Sequence, residues 1–305
     1  MTTTTARRAG IAVAAAAALV SVAACGGPED STGADDGGRT AGQGVVRADA
    51  VAALRLVQKE TGGAQSAEVE GTTTMGSTMS MEQSGVIDWS DGMTGALTIT
   101  YTGGTMGDAL KQSGGDGSMR ARYLEDEYYA DMGEAFAAEV GGKRWIRYAY
   151  ADLAELGGAS GEVLAEQMRN STPQQGVDAL LASGDVEEVG REHVRGVATT
   201  HYSGTVDVAE LTARTSAPDA RQLAAFKEQL GRLGISRETV DIWVDRDDLL
   251  VKKTEKATTK TGALNSTVFY SHYGTDVSVE KPAAGDTVDF KELLGQRGGT
   301  AGTAS

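Results

Sequence analysis

Cys25 is the only cysteine in the 305-residue chain. A single thiol has no partner for an internal disulfide, so its role must be sought in what surrounds it. The three histidines, His193, His201 and His272, show no His-x-x-x-His spacing, and the chain has neither a Gly-x-Ser-x-Gly elbow nor a phosphate-cradling glycine loop. The expectation is therefore no enzyme, no bound metal and no cofactor. His201 beside Tyr202 and His272 beside Tyr273 are expected on strands, with solvent-facing imidazoles. Asp245, Asp247 and Asp248 lie between Ile242-Trp243-Val244 and Leu249-Leu250-Val251 and read as a hairpin turn. Lys252, Lys253, Lys256 and Lys260 read as a solvated or edge-protecting strand face. Glu29, Asp30, Asp35 and Asp36 lack the alternating spacing and terminal Glu of a calcium loop.

The surroundings of Cys25 are more telling. Arg7 and Arg8 precede an apolar run from Ala9 to Val20, and small residues follow, which is the order of an export signal. The run is shorter than the ~20 residues needed to span a bilayer. Ser21-Val22-Ala23-Ala24-Cys25-Gly26 resembles a bacterial lipobox, which implies diacylglyceryl transfer to the Cys25 sulfur, cleavage before it and acylation of its amine. Two or more acyl chains would anchor the protein stably. An ordinary export signal that happens to end near a cysteine is the alternative.

Loss of Arg7 and Arg8 with residues 1–24 takes the net charge from −15 to −17. Such a surface repels phosphate backbones and excludes nucleic acid as a natural partner. It also disfavours broad docking on anionic headgroups and leaves the anchor as the membrane contact. Residues 25–44 are rich in Gly and acidic side chains and read as a self-repelling tether spanning roughly 24 Å. A folded domain is expected over 45–293 and a polar, disordered tail over 294–305.

The domain opens with a helix in which Val46, Ala50, Val51, Leu54 and Val57 recur at helical spacing, up to Gly62-Gly63. From Ser66 to Met132 short runs alternate polar and apolar residues, as half-buried antiparallel strands do. Met79, Met81, Ile87 and Trp89 share one parity. So do Leu97, Ile99 and Tyr101, then Met119, Ala121 and Tyr123, and then Tyr128, Ala130 and Met132. Seven of the eight methionines after Met1 fall between Met75 and Met132. Methionine is unbranched and polarizable and suits surfaces that fit more than one apolar shape, although it also serves as plain core filling.

A sheet with one apolar face has to be covered. One covering helix is expected after Ser171 or Thr172, with Pro173 as its first residue and Gly184 beyond its end. Another is expected from about Pro218 to Leu233. Val186 to Val208 read as two strands around Arg195-Gly196, and Thr239 to Lys256 and Leu264 to Val279 read as further strands. The fold class is α+β on an antiparallel sheet.

In this order the elements resemble the mycobacterial LppX/LprG lipoprotein family, itself similar to the LolA and LolB carriers. The resemblance is carried by the lipobox at Cys25, Tyr128-Tyr129 before Trp145, Val194-Arg195-Gly196-Val197, Thr200-His201-Tyr202-Ser203-Gly204, Ile242-Trp243-Val244-Asp245-Arg246-Asp247, and the stretch from Tyr273 to Pro282. It implies an antiparallel half-barrel, an incomplete β-barrel closed by helices around an apolar cavity for acyl chains. Met79, Met81, Ile87, Leu97, Ile99, Tyr101, Met119, Tyr128 and Met132 are then expected to line that cavity. The implied partners are membrane lipid through acylated Cys25, a lipid or glycolipid cargo, and a membrane transporter or other envelope protein. The implied place is the outer face of the cytoplasmic membrane. The alternative is an envelope sensor or interaction lipoprotein of the same fold, with a self-filled interior and a protein partner.

Overall fold

The computed structural model describes residues 40–112, 114–169, 172–207, 231 and 234–300. Cys25 with its export signal, and the body of the helix expected over 218–233, lie outside the described residues.

The first helix, α1 (Thr40–Gly63), begins a turn before the expected boundary at 45 and buries Ala50, Leu54 and Val57. It leads into the meander β1 (Ser66–Met75), β2 (Met79–Asp88) and β3 (Thr94–Gly103), then α2 (Gly104–Gln112), β4 (Ser118–Tyr123) and β5 (Glu127–Asp131). Next come α3 (Gly133–Glu139), β6 (Trp145–Ala149), α4 (Tyr150–Arg169) and α5 (Gln174–Ser183). The second half runs β7 (Val186–Val194), β8 (Val197–Asp207), β9 (Arg237–Val244), β10 (Leu250–Thr259) and β11 (Gly262–Ser271). It closes with β12 (Thr287–Asp289) and a helix, α6 (Phe290–Thr300). The first residues of the tail expected over 294–305 are thus helical.

The strands form one sheet in the order β12-β6-β5-β4-β3-β2-β1-β11-β10-β9-β8-β7. Every neighbouring pair is antiparallel except β12 with β6. The β1–β11 ladder, from Glu68 opposite Ser271 to Met75 opposite Leu264, joins the two halves of the chain. The sheet curls without closing, so β7 and β12 stay at its two edges and the architecture is an α+β half-barrel. Alternation explains the layering, because successive side chains of a strand point to opposite faces. In β1, Val69 and Thr73 are buried while Glu68, Glu70, Thr72 and Thr74 are exposed. The turn after β1 packs on the turn between β10 and β11. Gly76 has φ +49, and a Cβ there would lie 1.8 Å from the Thr261 carbonyl oxygen, so only glycine fits.

Helices cover the concave face. α5 packs on β7, β8 and β9 and against α1, α2 packs on β2 and β3, and α4 and α6 pack on β6. α5 starts one residue later than expected, with Pro173 in the N-cap position and left-handed Gly184 (φ 66) ending it. α4 is broken at Gly158 (φ 54, ψ −139). The open end of the core is pinned where Thr61 Oγ1 accepts from the Leu250 amide at 3.2 Å and Tyr273 Oη donates to the Leu250 carbonyl at 2.6 Å.

Candidate functional site

Eight of the nine residues expected on the inward parity, Met79, Met81, Ile87, Leu97, Ile99, Tyr101, Met119 and Tyr128, are buried in a single apolar cluster. The ninth, Met132, is half-buried and packs against it. Cross-strand registers set them side by side: Met81 lies opposite Tyr101 and Ile99 opposite Met119. The opposite half of the sheet adds Val240, Ile242, Leu264 and Val268 to the concave face. Each large side chain buried this way contributes about 1.5–3 kcal/mol.

Part of this lining borders open space. A cavity of about 30 Å³ is lined by Val69, Ile87, Met93, Leu97 and Val268, interleaved with Gln83, Gln175, Lys253, Glu255 and Tyr270; Lys253 lies directly opposite Val268 and Tyr270 opposite Val69. A volume of this size holds about one water molecule.

The polar part of that lining was not foreseen, and it corrects the reading of Lys253 as solvated. Lys253 and Glu255 are 6% and 4% exposed, face inward under α5, and pair at 2.6 Å. The error has a local cause. The β9–β10 register shifts between Leu250 and Lys252, so this bulge changes which parity of β10 faces in. In addition, β10 is an interior strand, flanked by β9 and β11. Burial works against the Lys253 charge, but the nearby Glu255, Tyr270 and Glu238 more than offset it and hold the ammonium protonated above the ordinary lysine range. Gly176 in α5 makes room for this side chain, since a Cβ there would lie 2.6 Å from Lys253 Cδ.

The other end of the concave face is rich in tyrosine. Ring centroids of Tyr123 and Tyr128 are 4.9 Å apart, those of Tyr128 and Tyr148 5.6 Å, and those of Tyr148 and Phe290 4.7 Å. Burial pushes the hydroxyls of Tyr101, Tyr123, Tyr128, Tyr148 and Tyr150 up, so they stay neutral at physiological pH. Among the described residues, the Tyr148 and Tyr150 hydroxyls have no hydrogen-bond partner.

The convex face holds the charged clusters. His201 is not solvent-facing as expected: its ring stacks on Trp243 at 4.2 Å, and its Nε2 lies 3.0 Å from Asp241 Oδ1. Trp243 Nε1 donates to Glu192 at 2.5 Å and the Lys252 ammonium sits 3.6 Å over the indole. Asp241 is held low because, although burial opposes its charge, Ser203, His201 and Thr254 bond to it and Lys256 lies near. The carboxylate thus stands between serine and histidine, whereas a serine nucleophile needs the histidine in the middle. This arrangement stabilises Asp241 and does not activate Ser203. His272 is largely exposed, as expected, but it lies just beyond the end of β11 with a positive φ of 50 and not on a strand, and it pairs with Glu68 at 3.0 Å. Among the described residues there is no group of three or more His, Cys, Asp or Glu side chains suited to a metal, and no helix is long and apolar enough to cross a membrane.

Two buried carboxylates on β5 behave like Asp241. Asp131 is held below its ordinary value by Arg120, the Gly133 amide and Arg144, and Glu127 by Lys281, Arg147 and Tyr129, in each case against the opposing effect of burial. A depressed carboxylate contributes stability above its unfolded-state pKa and loses it as pH falls through the folded value. The melting temperature is therefore expected to fall on acidification below about pH 4. Asp131→Asn should melt earlier than wild type at neutral pH, with the gap closing in strong acid. A gap that persists unchanged through the acid range contradicts the assignment.

No family model matches the chain. Among curated proteins, an uncharacterised 31.2 kDa protein encoded between rplA and rplJ in Streptomyces griseus is 70% identical over 261 residues, covering 86% of each chain. A Streptomyces coelicolor protein named as a candidate lipoprotein is 46% identical over 314 residues, covering 98% of this chain and 100% of its own. Among solved structures, the chain is similar to the lipoprotein LppX of Mycobacterium tuberculosis at 14% identity and a TM-score of 0.46, over 76% of this chain and 99% of that one. By the identity and coverage of the two Streptomyces relatives, the chain belongs to their family, whose S. coelicolor member carries the lipoprotein name.

Proposed function

We propose that this protein is held by acylated Cys25 at the outer face of the cytoplasmic membrane. There its half-barrel takes up the acyl chains of a lipid or glycolipid and carries or presents it within the envelope. The observation that supports this most directly is the inward face itself. Methionines and aliphatic residues of β2, β3 and β4 are buried in one apolar cluster, and α2 packs on β2 and β3. Acyl-chain shielding needs no nucleophile and no metal. It needs burial, at about 0.8 kcal/mol per methylene.

The cavity of about 30 Å³ is small beside the ~300 Å³ of the smallest ligand pockets. Uptake into this cavity therefore requires the groups around it to move, and the break at Gly158 gives α4 a place to bend. The small volume of that cavity favours a second reading, an envelope lipoprotein that binds a protein partner and carries no lipid.

Two measurements test the proposal. Metabolic labelling with palmitate should mark the wild-type chain and leave Cys25→Ser unmarked. An unlabelled wild type, or a labelled variant, would remove the anchor. Incubated with vesicles carrying a fluorescent acyl lipid, the mature chain should withdraw label into the protein fraction. Absence of withdrawal would leave the second reading standing.

A further inference from the structure

The convex face of the sheet carries a groove, on the side away from the methionines. The face is covered in two places. The tip of the β7–β8 hairpin reaches β1 and β11, where the Arg195 guanidinium stacks 3.8 Å from the Phe269 ring centroid and its Nη1 pairs with Glu70 at 2.7 Å. The segment after β11 reaches β4 and β5, with Arg122 Nη1 donating to the Glu280 carbonyl at 2.6 Å and Lys281 paired with Glu127. Between these coverings lies a groove of about 390 Å³, within the size range of small-molecule sites.

Its floor is a regular grid. The strand registers set Phe269, Glu70, Ser84 and Thr98 directly opposite one another in a row across β11, β1, β2 and β3, and Thr72, Glu82 and Thr100 in a second row two residues along. With neighbouring strands ~4.8 Å apart, the first row spans about 14 Å. Glu70, Thr72, Glu82, Ser84 and Thr98 are exposed, and among the described residues Phe269 is the one apolar side chain that lines the groove.

That lining selects by exclusion and by match. It offers an acyl chain almost no apolar surface. Its two carboxylates against one guanidinium, on a chain of net charge −15, repel phosphates and acidic polymers. A peptide strand finds no edge to pair with, because β11, β1, β2 and β3 are interior strands whose backbone groups already bond to their neighbours. The floor does offer hydroxyls, each able to donate and to accept, with carboxylate acceptors and guanidinium donors beside them. Sugar hydroxyls match that set. Arg195 is also ordered in advance by Glu70 and Phe269, which lowers the cost of engaging it.

We propose that this groove binds an uncharged glycan, a short run of neutral sugars lying across β11, β1, β2 and β3 with Arg195 at one end. The site lies on the face opposite the acyl-lined interior and does not depend on the reading of that interior.

The test titrates the unanchored mature chain, made as Cys25→Ser behind a cleavable signal, by isothermal calorimetry. The probes are the neutral hexasaccharides maltohexaose, cellohexaose, mannohexaose and chitohexaose, with pentalysine as a cationic peptide. At least one saccharide should bind, and its affinity should change by less than about twofold between ~0.05 and ~0.5 M NaCl, because no charge pair is made with it. Thr98→Trp and Ser84→Trp place an indole on the floor and should each weaken binding roughly tenfold or more, since a displaced sugar forfeits several hydrogen bonds at once. Arg195→Met, at the exposed hairpin tip, removes one or two donors and should weaken it about three- to tenfold. Ile99→Trp, on the buried face, should leave it unchanged.

No binding of any of the four saccharides, or binding that survives both Thr98→Trp and Ser84→Trp, would overturn the site. Binding of pentalysine in place of a saccharide, lost at high salt, would overturn the ligand class and assign the groove to a basic peptide.

Discussion

Lys253→Met alone is expected to lower the free energy of unfolding by about 3–5 kcal/mol, because it removes the ammonium that lies 2.6 Å from the buried Glu255 carboxylate. Glu255→Leu alone should cost a similar amount for the mirror reason. The double variant is expected to recover most of that loss, so the two changes are strongly non-additive. Urea unfolding of the four proteins measures the coupling. β10 points both side chains inward, where they are almost fully enclosed and 2.6 Å apart. Single variants that each cost less than about 1 kcal/mol, the range of exposed pairs, would mean that the pair is solvated and the concave face is not as described.

The second large effect concerns the apolar face. Ile99→Trp and Met81→Trp push an indole into the space that an acyl chain would occupy under the proposed function. Overpacking of this kind costs about 1–3 kcal/mol, inside the ~5–15 kcal/mol by which ordinary domains are stable, so the variants should fold. Displacing even two methylenes of a bound chain forfeits about 1.6 kcal/mol, more than tenfold in affinity. Vesicle uptake of fluorescent acyl lipid should drop accordingly. Thr98→Trp is the control, since Thr98 neighbours Ile99 on the same strand but is exposed on the opposite face. It should leave uptake unchanged. Equal uptake by Ile99→Trp, Thr98→Trp and wild type in folded protein would remove the lining role from these residues.

The fold was legible where period-two alternation is clean. The parity of Met79, Met81, Leu97, Ile99 and Met119 placed all five inward, and the Arg195-Gly196 hairpin followed from its flanking strands. Both central residues of that turn have positive φ. Four helices were hidden, the closing α6 among them. α2 offers only Met106 and Leu110 as apolar residues beyond its alanine, α3 is a single short element after Gly133, and α4 is interrupted by Gly157-Gly158. None presents a long enough apolar stripe to declare a helical period. The candidate site was legible in its apolar residues alone. Lys253 and Glu255 sit in a run of charged and polar residues that reads as solvent-facing on either parity, and the bulge near Leu250 that turns them inward has no marker such as glycine. His201 was misplaced because a strand residue next to a buried tyrosine is expected in water. Trp243, from the neighbouring strand, supplies a ring to cover it instead.

The half-barrel also gives a physical reason for the methionines. Under the acyl-binding proposal, a concave face that closes when empty and parts when filled needs side chains that repack without strain, and unbranched thioethers do so better than β-branched residues. Five of the methionines, Met79, Met81, Met93, Met119 and Met168, are buried in the one apolar cluster. The same face that fills the interior in the closed form would line the opened one.

The most direct test is native mass spectrometry of the unanchored mature chain purified from cells, paired with organic extraction of the same sample. Copurifying species with the mass of diacyl or triacyl lipids, lost in Ile99→Trp, are the result expected here. A clean apo mass, with no uptake after incubation with membrane lipids, would contradict acyl binding and favour an envelope protein whose half-barrel is filled by its own side chains.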